Sequence, residues 1–362
     1  MDILSIGIAA VSFVVVFSVL VFFHELGHFW VARRFGIRVD VFSIGFGPSL
    51  WSRKDRHGIE WRISAVPLGG YVKFFGDASG ASNQSSDIQA LSDEDKRDCF
   101  HFRPLHQRAL VVAAGPLANF LLAFVIFTVM FMAVGQPYTA PVVDKVVAGS
   151  PAEAGGLRTG DRILTVGSFE VQTFEEVANL IAMNPGKELS LQVERDGEVM
   201  RFAATPATFE RNSMKIGQLG ITSTGRETIQ RGPLEAPVYA VGQIRDDVVM
   251  ILHVVGEMLR GERSVKELGG PLKIAEVSGE VAQVSLVALV MLAGMLSVNL
   301  GLINLFPIPM LDGGHLLYYA FEAVRGRPLG EKVQEYGFRV GMALVLLLMV
   351  VVTFNDVSSW IP

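Results

Sequence analysis

Hydrophobic positions along this chain gather into four long blocks, separated by segments of ordinary polar alternation. The first block runs from Ile3 to Phe23, and the second, Ala109 to Val134, carries no charge at all. The third, Val284 to Phe306, is interrupted by Asn299 and Asn304. The fourth, Val340 to Phe354, is short and needs the flanking Tyr336–Arg339 turn to reach full length. About 20 apolar residues in a helix cross a hydrocarbon core of about 30 Å, so each block predicts a transmembrane helix. The first lacks the basic start and small-residue cleavage site of a signal peptide, and Phe22-Phe-His-Glu-Leu-Gly-His28 closes it; it reads as a retained span.

Between the second and third blocks the pattern changes to that of a soluble domain. Strand-like alternation after Pro141 leads into a short helix with Ser150 as N-cap and Pro151 at its first position, closed by Gly155-Gly156. Thr173 followed by Glu176 forms a capping box for a second helix ending near Met183. Strands are expected at Glu188–Arg195 and Glu198–Ala204, joined by a turn at Asp196-Gly197. From Gly232 to Gly261 the pattern is helical and amphipathic, suited to the membrane surface or to packing on its own domain.

Composition agrees with the blocks. Only 19% of the residues are charged, against about 25% in soluble proteins, and mean hydropathy is +0.41. Basic residues concentrate between Val31 and Gln107 (Arg33, Arg34, Arg38, Arg53, Lys54, Arg56) and between the last two blocks (Arg325, Arg327, Lys332). The positive-inside rule assigns both segments to the cytoplasm, and the termini and soluble region to the opposite face. A net charge of −5 offers nothing to a nucleic acid. Cys99 is the single cysteine, which excludes an intrachain disulfide and leaves histidines and carboxylates as metal ligands.

The chemistry is concentrated in His24-Glu25-Leu26-Gly27-His28 at the end of the first block. On a helix, residues four apart share a face, so both imidazoles can hold one Zn²⁺. Glu25 lies beside that face, within reach of a water the ion acidifies, and can take its proton. Each ionisable side chain within a span costs about 2.5–3.5 kcal/mol at the helix centre, so this cluster calls for a compensating ion unless it lies in the headgroup zone. Two histidines leave zinc short of the usual three protein ligands. Asn304-Leu-Phe-Pro-Ile-Pro-Met-Leu-Asp-Gly-Gly314 supplies a third: Pro307 and Pro309 cannot continue a helix, and broken backbone at membrane depth must line protein or a wet cavity. Asp312 is the favoured ligand and His315 the competing one; the two together also suit a carboxylate–imidazole pair behind the metal. Asn299 and Asn304 are candidates for holding a substrate backbone or an oxyanion, or for a helix–helix hydrogen bond.

Taken together, several landmarks resemble the site-2-protease-type intramembrane metalloproteases, of the bacterial regulator-of-sigma-E kind. They are His24-Glu-Leu-Gly-His28, Pro67-Leu-Gly-Gly-Tyr-Val-Lys73, Gln107-Arg-Ala, Ala114-Gly-Pro-Leu-Ala-Asn119, and Asn304 to Gly313 with its two prolines. The resemblance spans nearly the whole chain in family order. It implies zinc on His24, His28 and Asp312, Glu25 as catalytic base, and Asn304 as a substrate-binding residue. It also implies a re-entrant β-hairpin at Ile59–Phe75, whose edge near Gly70, Tyr71 and Val72 would pair with an unwound substrate; by residues alone this stretch fits a small cytoplasmic hairpin as well. The string Gly149-Ser-Pro-Ala152, Gly156-Leu157 and Gly160-Asp-Arg-Ile-Leu164 is similar to a PDZ domain. Family members often carry two in tandem, whereas this chain has room for one.

The expected architecture is therefore a polytopic α-helical membrane protein with four transmembrane helices, a re-entrant β-hairpin and one inserted α/β PDZ domain. Residues 1–135 form the first part of the membrane core, 138–208 the PDZ domain, 209–283 a following region with the amphipathic helix, and 284–362 the rest of the core. The implied function is a zinc metalloendopeptidase of a bacterial inner membrane. Its partners would be the lipid bilayer and single-pass membrane proteins already shortened by another protease, such as anti-sigma factors, with the PDZ domain either filtering them by size or contacting their new C-termini. The competing reading is a catalytically inactive, membrane-anchored PDZ scaffold.

Overall fold

The structure is a computed structural model and describes residues 3–77, 91–211, 214–261, 264 and 269–358. The two extreme termini, expected on the face opposite the cytoplasm, lie outside these residues. The described chain divides into two compact units, one of residues 1–129 with 235–362 and one of residues 130–234.

Among the described residues, four helices are long and apolar enough to cross a membrane. They are α1 (Ile3–Arg34), α3 (Leu105–Ala133), α8 (Leu286–Asn304) and α10 (Glu331–Ser358); the shorter α2 covers Asp93–Asp98. In α1 and α8 hydrophobic residues surround the axis rather than forming a stripe, as expected of a helix in a lipid solvent. α1 runs a further three turns past the apolar block and stops at Arg33-Arg34, cations that suit the negative end of its dipole. The histidine pair is thus inside a continuous helix.

Between α1 and α2 lies a β-hairpin, β1 (Val39–Lys54) and β2 (Glu60–Phe74). The sequence reading placed it at 59–75, which is only its second strand. The first is masked in the sequence by Gly45, Gly47 and Pro48, and Gly45 and Gly47 have φ of +90° and +85°, a backbone that side chains disfavour. Repeated register shifts bring residues 41–44 opposite both 60–63 and 70–73, so the hairpin is doubled into a compact sheet. Phe42, Val72 and Phe74 bury against Phe100 and Val111, fixing β2 beside α1 and α3.

After the second unit come α6 (Ala236–Leu259) and α7 (Pro271–Val284), followed beyond α8 by α9 (Asp312–Arg325). The start of α7 is capped from a distance: the buried Asp356 carboxylate on α10 accepts hydrogen bonds from the Gly270, Leu272 and Lys273 amides. No local pattern announces that cap.

The second unit contains β3 (Gln136–Thr139), β4 (Lys145–Val146), α4 (Pro151–Ala154), β5 (Arg162–Val166), β6 (Phe169–Glu170), α5 (Phe174–Ala182), β7 (Leu189–Arg195) and β8 (Glu198–Ala204). Then follow β9 (Ala207–Arg211), β10 (Met214–Gln218), β11 (Ile221–Thr222) and β12 (Arg226–Ile229). β6, β5, β7 and β8 form one antiparallel sheet in that order. Ser150 caps α4, and Thr173 with Glu176 forms a full capping box on α5. Val143, Ile163, Val177, Leu191 and Val193 are its solvent-excluded core. β11 pairs with β4 and β12 with β3, so residues 209–234, which the sequence reading assigned to the following region, return to this unit. Their cross-strand partners are entry strands far back in the chain, which a local pattern does not reveal.

Candidate metal centre

His24 and His28 follow from helical periodicity: both are buried on one face of α1, with ring centroids 4.8 Å apart and Nε2 atoms 3.3 Å apart. Asp312 arrives from the other end of the chain. α8 stops at Asn304, and residues 305–311, with Pro307, Pro309 and Met310 at φ +93°, make the non-helical turn that α9 follows. A Cβ on Gly313 would overlap the Leu305 and Phe306 carbonyls, so the return is this tight only with glycine there. Asp312 then stands at the first position of α9, where the helix dipole favours an anion.

Asp312 Oδ2 lies 3.2 Å from His24 Nε2 and 3.5 Å from His28 Nε2. Oδ2 is buried and has no hydrogen-bond partner. On the far side of the His28 ring, Nδ1 is 2.9 Å from the Val111 carbonyl, which can only accept, so Nδ1 carries a proton and the neutral ring keeps its lone pair on Nε2. With both rings neutral and in this tautomer, two imidazole lone pairs and a carboxylate oxygen face one another, an arrangement that suits a cation. Tetrahedral zinc with bonds of about 2.0–2.1 Å would set its ligand atoms about 3.3 Å apart, close to the observed separations. Two imidazole nitrogens and one carboxylate oxygen are a catalytic-zinc donor set, and among the described residues these three form the one such group. His315, the competing ligand, is not in it.

A cavity of about 390 Å³ opens beside the three donors. His24, Glu25, His28 and Asp312 line it together with Gly70, Tyr71, Val72, Asn304 and His315. Glu25 is buried and accepts from the Val72 amide, and a Cβ on Gly70 would press on its side chain. The bare backbone of β2 thereby comes close to the acid. Asn299, the other sequence candidate, does not line the cavity: residues five apart on a helix are turned about 140° from each other.

Three contributors escaped the sequence reading. Asn119 on α3 is fully buried with its amide 3.1 Å from His24 Nδ1. The Val111 carbonyl holds His28. Gly115 leaves room for the His28 ring, which any Cβ there would strike. A signal existed for Asn119, an amide in a span without charge.

Over residues 12–348 the chain matches the profile of peptidase family M50. It is 42% identical to a predicted zinc metalloprotease of Agrobacterium fabrum, over 97% of this chain and 96% of the relative. Metalloprotease MmpA of Caulobacter vibrioides is 37% identical over 98% and 96% of the two chains. A Rhizobium meliloti protein, also a predicted zinc metalloprotease, is 40% identical over 96% of each.

Proposed function

The chain belongs to peptidase family M50 and is a multi-pass membrane zinc metalloprotease; on that premise we propose that it cuts peptide bonds within the membrane-spanning segments of other proteins. The observation that carries this reading is the position of the donors. His24 and His28 lie within a helix that meets the length and apolarity of a membrane span, beside a cavity bordered by strand backbone.

When bound, zinc supplies a Lewis acid that polarises a carbonyl and acidifies water at neutral pH. His24 and His28 would hold it through Nε2 and Asp312 through Oδ2. One carboxylate and two neutral imidazoles leave a net charge of +1 at the site. Glu25 is the general base: its carboxylate takes a proton from the attacking water and delivers it to the leaving amine. Asn304, on the cavity wall, donates its amide to a substrate carbonyl. The backbone at Gly70–Val72 binds an unwound stretch of substrate by strand addition, which exposes a scissile carbonyl that a helix would hide.

We read the inserted unit as a PDZ domain, on the sequence string around Gly149–Leu164 and the four-stranded sheet with α5. In this reading it engages the new C-terminus of a substrate shortened by an earlier cut, an anti-sigma factor being one such substrate. The basic residues between α1 and α3 favour a bacterial inner membrane with the zinc site toward the cytoplasm and the inserted unit in the periplasm.

The test is Glu25→Gln in purified protein given a library of membrane peptides. Cleavage should fall by about 10²–10⁴-fold with zinc content unchanged. Undiminished cleavage overturns the mechanism, and zinc-loaded wild type that cuts no membrane peptide favours the scaffold reading.

A further inference from the structure

The geometry points to Asn119 as a positioning residue that holds the His24 imidazole in the tautomer and orientation a metal ligand needs. This inference rests on the zinc reading above. His24 can offer Nε2 to a cation only when its proton is on Nδ1, and a buried Nδ1–H needs an acceptor. His28 meets that need with a backbone carbonyl, Val111 O at 2.9 Å. His24 has no carbonyl there; the group 3.1 Å from its Nδ1 is the side-chain amide of Asn119, placed with its nitrogen Nδ2 toward the ring.

An amide presents a donor at one end and an acceptor at the other, and a half-turn exchanges them in the same volume. With the oxygen toward the ring, Asn119 accepts from Nδ1–H and Nε2 is free for the metal. With the nitrogen toward the ring, Nδ1 becomes the acceptor and the proton moves to Nε2, which then cannot ligate. As placed, the amide has its nitrogen toward the ring and its oxygen buried without any hydrogen bond; the half-turn gives that orphaned acceptor the Nδ1–H of His24. Asn119 is itself fastened: the buried Ser297 hydroxyl on α8 donates to its backbone carbonyl at 2.8 Å. Two of the four long helices thus meet at the residue that steadies a ligand carried by a third. The two histidines are held in unequal ways, His28 by a group that cannot turn and His24 by one that can.

The test is zinc affinity of the purified full-length chain in detergent, measured by competition with a chromophoric chelator. Asn119→Leu keeps the volume and removes the acceptor; Asn119→Asp keeps an acceptor and removes the donor. Under this assignment N119L binds zinc about 10–100-fold more weakly, the usual cost of losing a partner behind a metal ligand. N119D stays within a few-fold of wild type, and both metal-free variants melt with metal-free wild type. Equal affinity for N119L and wild type overturns the assignment. So does N119D as weak as N119L, because the amide would then act as donor or filler. Should N119L fail to fold, N119D against wild type decides alone. Failure of the zinc reading looks different: wild type itself, like His24→Ala, would bind no zinc.

Discussion

The two units solve the burial problem with opposite signs. In the unit of residues 130–234 the centre is apolar, with Ile163, Val177, Leu191 and Val193 excluded from solvent and polar groups outside. In the helical unit large apolar side chains such as Leu121, Leu346, Leu347 and Val350 are uncovered, while His24, Glu25, His28, Asn119, Ser297 and Asp356 are inside. The same rule, that each group goes where its transfer free energy is lowest, gives both results once the surrounding solvent differs. A buried polar group is an exception in the inserted unit and the site itself in the helical one.

One such exception is Asp161. Its carboxylate is fully buried and accepts from Arg195 Nε and Nη2 at 2.7 and 2.8 Å and from the Arg158 amide at 2.8 Å. Asp161→Ala leaves Arg195 without its partner and should cost about 3–5 kcal/mol, read as a lower unfolding midpoint of this unit with zinc content unchanged. A loss of zinc would break the separation between the units. The pair also sets a pH dependence. Burial pushes the Asp161 carboxyl up, but its bonds to Arg195 and the Arg158 amide outweigh that and hold it below the usual carboxylate range. Stabilisation is therefore complete above the unfolded value of about 3.9 and disappears as pH falls through the lower, folded one. Acid titration of unfolding should show that loss in wild type and lack it in Asp161→Asn.

The contrast in surfaces can be tested with one residue type. Leu347 on α10 and Val199 on β8 are both about as exposed as each other, 62% and 63%. Leu347→Lys puts a charge where we expect lipid and should disfavour insertion by about 2.5–3.5 kcal/mol, seen as reduced membrane-integrated protein. Val199→Lys faces water and should change stability by no more than about 0.5 kcal/mol. Equal tolerance of both would refute the two-solvent picture.

Gly115→Ala should cost folding about 1–3 kcal/mol of overpacking. In the helical unit that strain falls on the His28 ring, so zinc retention should drop further than the melting temperature suggests. A variant that melts early but keeps its zinc would show that α3 adapts without moving the ligand.

What the sequence by itself determined follows from local rules. Apolar block length gave the spans, a four-residue interval gave the histidine pair, and capping residues gave α4 and α5. That a third ligand comes from the segment after Asn304, with Asp312 favoured over His315, was legible because two histidines leave zinc short and because two prolines must end a helix. Other features depended on partners distant in the chain. Val39–Lys54 is hard to read as one long strand, since Gly45, Gly47 and Pro48 interrupt its strand-prone start and its pairing with β2 defines its length. Asn299 and Asn304 look equivalent along the chain, yet helical rotation turns only Asn304 to the cavity. Whether Asp312 or His315 meets the histidines depended on how α9 starts after the tight return at Gly313. Asn119 acquires a role only because α1, α3 and α8 pack at its level. Burial makes each of these contacts decisive, because a polar group removed from water must find its partner within the fold.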